Sequence, residues 1–183
     1  KYPQYDTFKV RAGSRKGKSS DTYTILSQKT PEAYEKKCPS LKNFFKDVSG
    51  PVLFAVDGSE IISAASLRVL EHLKHCQISI LYVKPDLNFL SNVSRLNERA
   101  VRGVLQEYAR SAVFERIYLI DVPLVAATLG NVPIKFYHER VHEAIVSTFH
   151  MINVFEHSDM VMGAIYGPLD QARISTFGYV NTK

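Results

Sequence analysis

The sequence predicts an α/β domain of three layers, in which a mostly parallel sheet carries helices on both faces. Short, continuous apolar runs recur at residues 52–56, 78–83 and 117–120, and such runs are typical of strands that are buried on both faces. Apolar residues at helical spacing fill the segments between these runs. Strands that are joined by crossovers of this length become parallel neighbours, so the alternation itself predicts the architecture.

The residues before this alternation predict less regular structure. One short strand is predicted at residues 23–26. Pro31 suits the first turn of a helix, and the spacing of Tyr34, Cys38 and Leu41 extends one or two helices to about residue 48. A Ser-Gly-Pro sequence then separates this segment from the first buried strand.

The later elements follow the same signals. An apolar stripe predicts a helix over about residues 60–75, and a second stripe predicts a helix over about residues 94–111. Pro133 precedes a third and longer helix, over about residues 136–155. Residues 173–177 predict a final strand.

Length and composition indicate one globular domain. The 183 residues are 45% hydrophobic and 22% charged, which argues against wholesale disorder. No apolar run approaches the roughly 20 residues of a membrane-spanning helix, no secretory signal is evident, and Cys38 and Cys76 form no C-x-x-C pair. We therefore expect a cytoplasmic protein with no membrane partner, in which residues 31–183 form the α/β domain around a core at residues 51–160.

A basic and partly disordered lead-in is expected over residues 1–30. The net charge is +5. Much of the positive charge lies in a Gly/Ser-rich stretch that contains Lys9, Arg11, Arg15, Lys16 and Lys18. Such a stretch suits contact with phosphates or nucleic acid, but no aromatic-plus-basic recognition module frames it. A solvated lead-in is therefore the favoured interpretation, and nucleic acid is expected as a partner only through this segment.

The polar turn after the first buried strand is the candidate ligand site. In open parallel sheets, ligands bind beyond the carboxyl ends of the strands, which here lead into residues 57–60, 84–87 and 121–124. The turn Asp57-Gly58-Ser59-Glu60 combines a glycine, a hydroxyl and a helix start, which suits an anion. Its two carboxylates repel a phosphate unless a cation intervenes. A plain helix cap explains the same residues equally well.

An H-E-x-x-H spacing occurs on the predicted long helix, at His138 and His142. It puts two imidazoles on one helix face with Glu139 beside them, as zinc metalloproteases require. Arg140 lies inside the motif, however, and no convincing third ligand follows. We expect two histidines on a solvated helix face and no bound metal, which makes a zinc hydrolase the least favoured function. Because no nucleophile elbow is present either, no catalytic residue is predicted.

The order of the elements from about residue 41 to residue 159 resembles the middle of a tubulin/FtsZ-type GTPase domain, which is Rossmann-like. In that family a strand ends in a glycine-rich phosphate loop, and further strands and helices lead to a long central helix. The matching pieces are residues 52–56, 57–65, 78–85, 95–109, 117–121 and 137–155. The resemblance implies a nucleotide-binding domain that self-assembles into an oligomer or filament.

The same resemblance implies which residues bind the nucleotide and whether the domain hydrolyses it efficiently. The positions that carry over are Asp57, Gly58, Ser59, Glu60, Ser63, Asp121 and His142. Acidic residues replace two glycines of the phosphate loop, and Val122 stands where the family has a base-contacting Asn. The acidic loop that a neighbouring subunit supplies for catalysis is not evident. The resemblance therefore implies a degenerate binder that is not an efficient GTPase.

A second resemblance is to the universal stress protein family. Residues 52–60 are close to that family's opening strand and its V-D-G-S-E turn, and residues 159–163 are similar to its D-L-I-V-M-G segment. Gly167 and Gly178 lie near its ATP-binding glycines, with each gap one residue too long. Both families bind a nucleotide at the 57–60 turn, so GTP or ATP, with magnesium, is the expected ligand. A non-catalytic structural or partner-binding module is the remaining alternative.

Overall fold

The computed structural model describes residues 5–156, 158 and 172–178, which form two sheets and the helices around them. The first sheet contains β1 (Lys9–Gly13), β2 (Gly17–Lys18) and β3 (Thr22–Leu26) in the order β1-β3-β2. Strand β1 runs parallel to β3, and β2 runs antiparallel to it. Helix α1 (Pro31–Lys37) follows this sheet.

The second sheet has four strands in chain order, and all of them are parallel. They are β4 (Pro51–Asp57), β5 (Gln77–Lys84), β6 (Arg116–Asp121) and β7 (Ile174–Ser175). The first three confirm the predicted buried strands, each to within one residue at either end. Asp57 pairs with Val83, and Lys84 pairs with Asp121. The carboxyl ends of these strands therefore meet along one edge, and we call residues 57–60, 84–87 and 121–124 the strand-end rim.

The helices lie between and after these strands. Between β4 and β5 come a 3₁₀ turn (Ile61–Ala65), helix α2 (Ser66–Leu70) and another 3₁₀ turn (Glu71–Leu73). Helix α3 (Asn92–Arg110) follows β5 after a 3₁₀ turn at Leu87–Phe89. Helices α4 (Val122–Thr128) and α5 (Tyr137–Glu156) follow β6, with a 3₁₀ turn at Ile134–Phe136 between them.

Two separate cores show that helices cover both faces of the parallel sheet. Side chains of α2 and α3, including Val69 and Leu105, pack on Ile78, Ile80 and Tyr82 of β5. The next core joins Leu81 of β5 with buried residues of β6, α4 and α5: Tyr118, Ile120, Val125, Val141 and Ile145. Successive residues of a strand point to opposite faces. The domain therefore has the predicted three layers, with the sheet in the middle.

Two predicted helices are shorter or less regular than the apolar spacing indicates. Helix α1 ends at Lys37 because Pro39 disfavours helical backbone at Cys38, whose ψ is 121°. The predicted helix over residues 60–75 is divided between α2 and two 3₁₀ turns. There the Ser66 hydroxyl donates to the Ser63 carbonyl at 2.6 Å, which is the kind of local bond that competes with a regular helix.

The sequence pattern does not predict some of the observed elements, and some predictions concern residues that the structure does not describe. Strands β1 and β2 and helix α4 are short or polar, and the apolar spacing predicts none of them. The similarity at residues 159–163 and Gly167 lies outside the described residues. Within residues 5–156 and 172–178, none of the helices combines the length and the hydropathy needed to span a bilayer.

Candidate functional site

The turn after β4 is closed by its own hydrogen bonds. The amide of Ser59 donates to Asp57 Oδ1 at 2.7 Å, which makes an Asx turn. The amide of Gly58 donates to the Val83 carbonyl at 2.9 Å and so continues the ladder to β5. The amide of Ser63 donates to the Glu60 carbonyl at 3.0 Å. Three of the amides that a bound anion could use are therefore already engaged within the protein.

Gly58 is fixed by a buried side chain beneath the turn. A Cβ at this position would lie 2.4 Å from Tyr82 Oη, 2.9 Å from Tyr82 Cζ and 3.2 Å from Pro85 Cδ. Tyr82 has no exposed surface, so its ring has little room to withdraw. The glycine is required by this packing whether or not a ligand approaches the turn.

A buried polar network supports Tyr82 from helix α3. The phenol lies 3.3 Å from the Glu98 carbonyl oxygen and 3.4 Å from Glu98 Oε1. Glu98 is 1% exposed, and Arg102 Nε donates to its Oε1 at 2.7 Å. Burial raises the pKa of the Tyr82 phenol, and the negative charge of Glu98 raises it further. The phenol therefore remains a neutral hydrogen-bond donor at ordinary pH.

Ser63 also lies in the buried polar region beneath the turn and is not on the surface. Its side chain is buried, and its Oγ accepts a hydrogen bond from Asn97 Nδ2 at 2.9 Å. Asn97 Nδ2 also lies 3.5 Å from the Glu60 carbonyl oxygen. The pair therefore anchors the beginning of the 3₁₀ turn to α3. The buried side chains of Ser63 and Asn97 are thus hydrogen-bonded to each other, as buried polar groups normally are.

The sequence pattern does not identify Asn97, Glu98 and Arg102 as residues that support the turn. A weak signal was present, because Asn97 and Glu98 precede the apolar residue Val101 by one helical turn and so share its face. Polar residues at core-facing positions indicate a buried network. The partner of such a network is a matter of tertiary contact, however, and the sequence does not identify it.

A salt bridge joins the other two strand ends of the rim. Lys84 Nζ lies 2.6 Å from Asp121 Oδ2, and the two side chains are 31% and 27% exposed. Asp86 accepts a hydrogen bond from the amide of Asn88. With Asp57 and Glu60, both exposed, the rim carries four carboxylates and the ammonium of Lys84. Its local field is therefore negative, with one cationic group available beside Asp121.

Most of the predicted site residues lie on the strand-end rim. The residues from Asp57 to Glu60 form the turn, and Asp121 lies on the same rim at the end of β6. His142 is exposed on α5, beside the buried Val141 that faces the sheet. No hydrogen bond, ion pair or ring contact joins His142 to the turn among the described residues. Its predicted role in binding a nucleotide stays a prediction without a contact that supports it.

The metal-binding potential of the site is limited in the described part of the chain. There, no three His, Cys, Asp or Glu side chains are grouped so that they could hold an ion. His138 and His142 are both exposed, and the ring of His138 packs edge-on against Tyr137 at 5.4 Å. The expectation that no zinc binds there stays a prediction. Magnesium usually binds through one or two carboxylates and the phosphates of a substrate, and exposed carboxylates at the rim fit that mode.

A concavity of the parallel domain lies away from the turn. It has a volume of about 430 Å³ and is formed by the connection between α4 and α5. None of residues 57–60 lines it. Small-molecule sites are usually concave and largely preformed, and this concavity does not include the turn. Comparison with family models, with curated proteins and with solved structures finds no match for this chain.

Proposed function

We propose that the chain is a nucleotide-binding domain that holds the phosphates of GTP or ATP, together with magnesium, at the strand-end rim. The observation that carries this proposal is the common end of three parallel strands. In that place, β4 ends at Asp57, which pairs with Val83, and the pair of Lys84 and Asp121 follows one position further along β5 and β6. Open parallel sheets bind their ligands beyond such strand ends, and charged groups from several strands supply the contacts.

The charges at the rim define how a nucleotide would bind. Asp57 and Glu60 repel phosphate oxygens, and this repulsion is about 1 kcal/mol per pair of unit charges at 4 Å in water and several-fold larger at a partly buried site. A magnesium ion on the phosphates reverses the sign of that interaction. Lys84 offers the compensating cation on the protein itself. Binding should therefore depend strongly on magnesium.

Efficient hydrolysis is not expected from this rim. Phosphoryl transfer requires preorganised donors that face the charge developing on the phosphate. The amides of Gly58 and Ser59 are engaged with Val83 and Asp57, and losing one such donor typically costs about a hundredfold in rate. We expect turnover near background in a phosphate-release assay. Turnover that rises steeply with protein concentration would show that assembly completes a catalytic site.

Calorimetric titration of GTP and ATP, with and without magnesium, tests the binding proposal. The sharpest variant is Asp57→Asn, because the amide oxygen can still accept from Ser59 while the charge is removed. Magnesium-free binding of either nucleotide should strengthen by roughly tenfold or more. Asp47→Asn is the matched control, since Asp47 is highly exposed and precedes β4, at the opposite end of that strand from the turn. The same change in charge at that position should leave affinity unchanged.

Removing the positive charge of Lys84 tests the role of the cation at the rim. Lys84→Met leaves the Asp121 carboxylate without its partner and should weaken binding even with magnesium. Failure of both the wild-type chain and Asp57→Asn to bind either nucleotide would contradict the proposal. A preference for GTP would favour the tubulin/FtsZ-like interpretation, and a preference for ATP would favour the universal-stress-protein-like one.

A non-catalytic partner-binding module is the second candidate, and two observations favour it. The turn is satisfied by its own hydrogen bonds, and the concavity at the α4–α5 connection contains none of its residues. Sedimentation of the chain with and without GTP separates the candidates. Nucleotide-dependent oligomers would support the self-assembling nucleotide binder, whereas a nucleotide-independent state together with no calorimetric signal would favour the module.

A further inference from the structure

The outer face of the N-terminal sheet is basic. Alternate residues of β1 and β3 pack inward, where Val10, Ala12, Tyr23 and Ile25 join the cores. The residues between them share the opposite face by register. We call this the basic sheet face, and it consists of Lys9, Arg11, Gly13, Gly17, Thr22, Thr24 and the exposed Leu26.

The centre of this face is built around Thr24. Arg11 Nε donates to Thr24 Oγ1 at 3.2 Å, which holds the guanidinium against the sheet. Glycines flank the threonine on both neighbouring strands. A Cβ on Gly13 would lie 2.6 Å from Thr24 Cγ2, and one on Gly17 would lie 3.9 Å from Thr24 Cβ. Around Thr24 the face therefore presents backbone and short side chains, so the backbone can be approached closely there.

The cations of this region are not neutralised by the described part of the protein. Lys9, Arg11, Arg15 and Lys16 are all exposed, and none of them forms a salt bridge with a described residue. One acidic residue, Asp21, lies at the end of the face. Hydrogen bonds from Ser19 lower its pKa, with a smaller contribution from the charge of Lys9. Four positive charges therefore face solvent beside one negative charge.

A small pocket extends the basic surface toward helix α1. Lys16 and Lys37 both line it, together with the Gln28 amide and the buried Tyr34, and its volume is about 240 Å³. Two lysines that line one pocket give it a positive field that attracts an anion. The positive surface thus continues from the open face into a second contact point on a different element.

We infer that the basic sheet face and the adjoining Lys16–Lys37 pocket bind the phosphate backbone of a nucleic-acid duplex. A duplex carries about one negative charge per 1.7 Å of its axis, which matches a surface with several unpaired cations. Proteins that bind single strands stack the bases on aromatic side chains. Here Tyr23 points inward and packs against Phe44 at 5.5 Å, so the face offers phosphate contacts without a stacking platform.

Fluorescence anisotropy with a labelled duplex of random sequence tests this inference across a series of salt concentrations. Contact with four or five phosphates predicts a slope of about −4 in log K against log salt, and roughly 250-fold weaker binding at 200 mM than at 50 mM salt. The test variant is Lys9→Gln combined with Arg15→Gln and Lys16→Gln. It should reduce the slope by about 3 and weaken binding roughly tenfold or more at 50 mM salt.

The matched control removes the same charge elsewhere, as Lys42→Gln combined with Lys74→Gln and Lys135→Gln. All three of these lysines are exposed and outside the basic sheet face. The inference is supported if the control retains the wild-type slope and both variants keep the wild-type circular dichroism and melting temperature. It is overturned if wild type does not bind the duplex at 50 mM salt, or if the control loses as much affinity as the test variant. Tighter binding to a single strand of the same length, or to vesicles of anionic lipid, would also overturn it.

Discussion

At the residue scale, the contact between Gly58 and Tyr82 links the candidate site to the core. The phenol occupies the space into which any side chain at position 58 would project. It is held there by Glu98, which is itself paired with Arg102. The conformation of the turn therefore depends on a buried network that lies below the surface a ligand would touch.

Gly58→Ala should destabilise the protein by about 1–3 kcal/mol, because the added Cβ overpacks against Tyr82 and Pro85. Gly103→Ala is the matched control. Gly103 lies inside α3, where an added Cβ would meet no side chain of another described element within 4 Å, and a helical alanine should stabilise by roughly 0.5–1 kcal/mol. Urea unfolding measures both changes. Equal effects of the two substitutions would contradict the proposed contact.

The raised pKa of Tyr82 predicts a loss of stability in alkali. The unfolded chain ionises this phenol as the pH passes its ordinary value of 10.0, whereas the folded chain keeps it protonated. The unfolded state then binds fewer protons, so stability falls with rising pH above about 10, by up to about 1.4 kcal/mol per pH unit. Tyr82→Phe should be less stable than wild type at neutral pH and should lose stability less steeply above pH 10. Parallel curves for the two proteins would contradict this assignment.

At the element scale, the strand-end rim is held together by contacts between neighbouring elements. The ladder aligns β4, β5 and β6, and the Lys84–Asp121 salt bridge joins the last two strands where the ladder ends. Asn97 connects α3 to the 3₁₀ turn after β4. The positions of Asp57, Ser63 and Asp121 therefore each depend on at least two elements.

A double-mutant cycle with Lys84→Ala and Asp121→Ala measures the coupling across β5 and β6. Both side chains are about one-third exposed, so we expect a coupling energy of about 0.5–1 kcal/mol that decreases as salt is added. The exposed pair Arg140–Glu143 on α5 is the control, with an expected coupling of about 0.3–0.5 kcal/mol. A coupling at the rim that is no larger than this, or that does not respond to salt, would show that the strand ends are aligned by the ladder alone.

At the scale of the whole molecule, an aromatic cluster joins the N-terminal sheet to the parallel domain. Phe44 is buried and contacts Phe8 at 5.7 Å, Tyr23 at 5.5 Å and Phe45 at 4.8 Å between ring centroids. A second link runs from Tyr5 to α5, where its hydroxyl lies 3.1 Å from His150 Nδ1. The two sheets are therefore expected to unfold together.

Phe44→Ala should destabilise both sheets, by about 3–5 kcal/mol in total, because it removes a buried ring that contacts each of them. Urea unfolding followed by far-UV circular dichroism and by tyrosine fluorescence should give one coincident transition for wild type. The exposed Phe89 offers the control, since Phe89→Ala removes a ring that is 87% exposed and should change stability by less than about 0.5 kcal/mol. Separate transitions of the two probes in wild type would show that the sheets are independent.

The sequence by itself determined the parallel α/β architecture. The runs at β4, β5 and β6 and the stripes of α3 and α5 are local patterns, and each is set by which faces of that element are buried. It also placed a polar turn at the end of β4, where parallel sheets bind ligands. These features depend on chain order and residue spacing, which a sequence displays directly.

Only the tertiary structure decided how the surface and the candidate site are built. Ser63 is buried against Asn97, and Tyr82 leaves no room for a side chain at position 58. Both contacts join residues that are 24 or more positions apart. The basic lead-in contains a sheet because β1 pairs with β3 and packs its apolar face on the aromatic cluster. Such contacts produce no periodic pattern in the sequence, because each side chain packs against a residue that is distant in the chain.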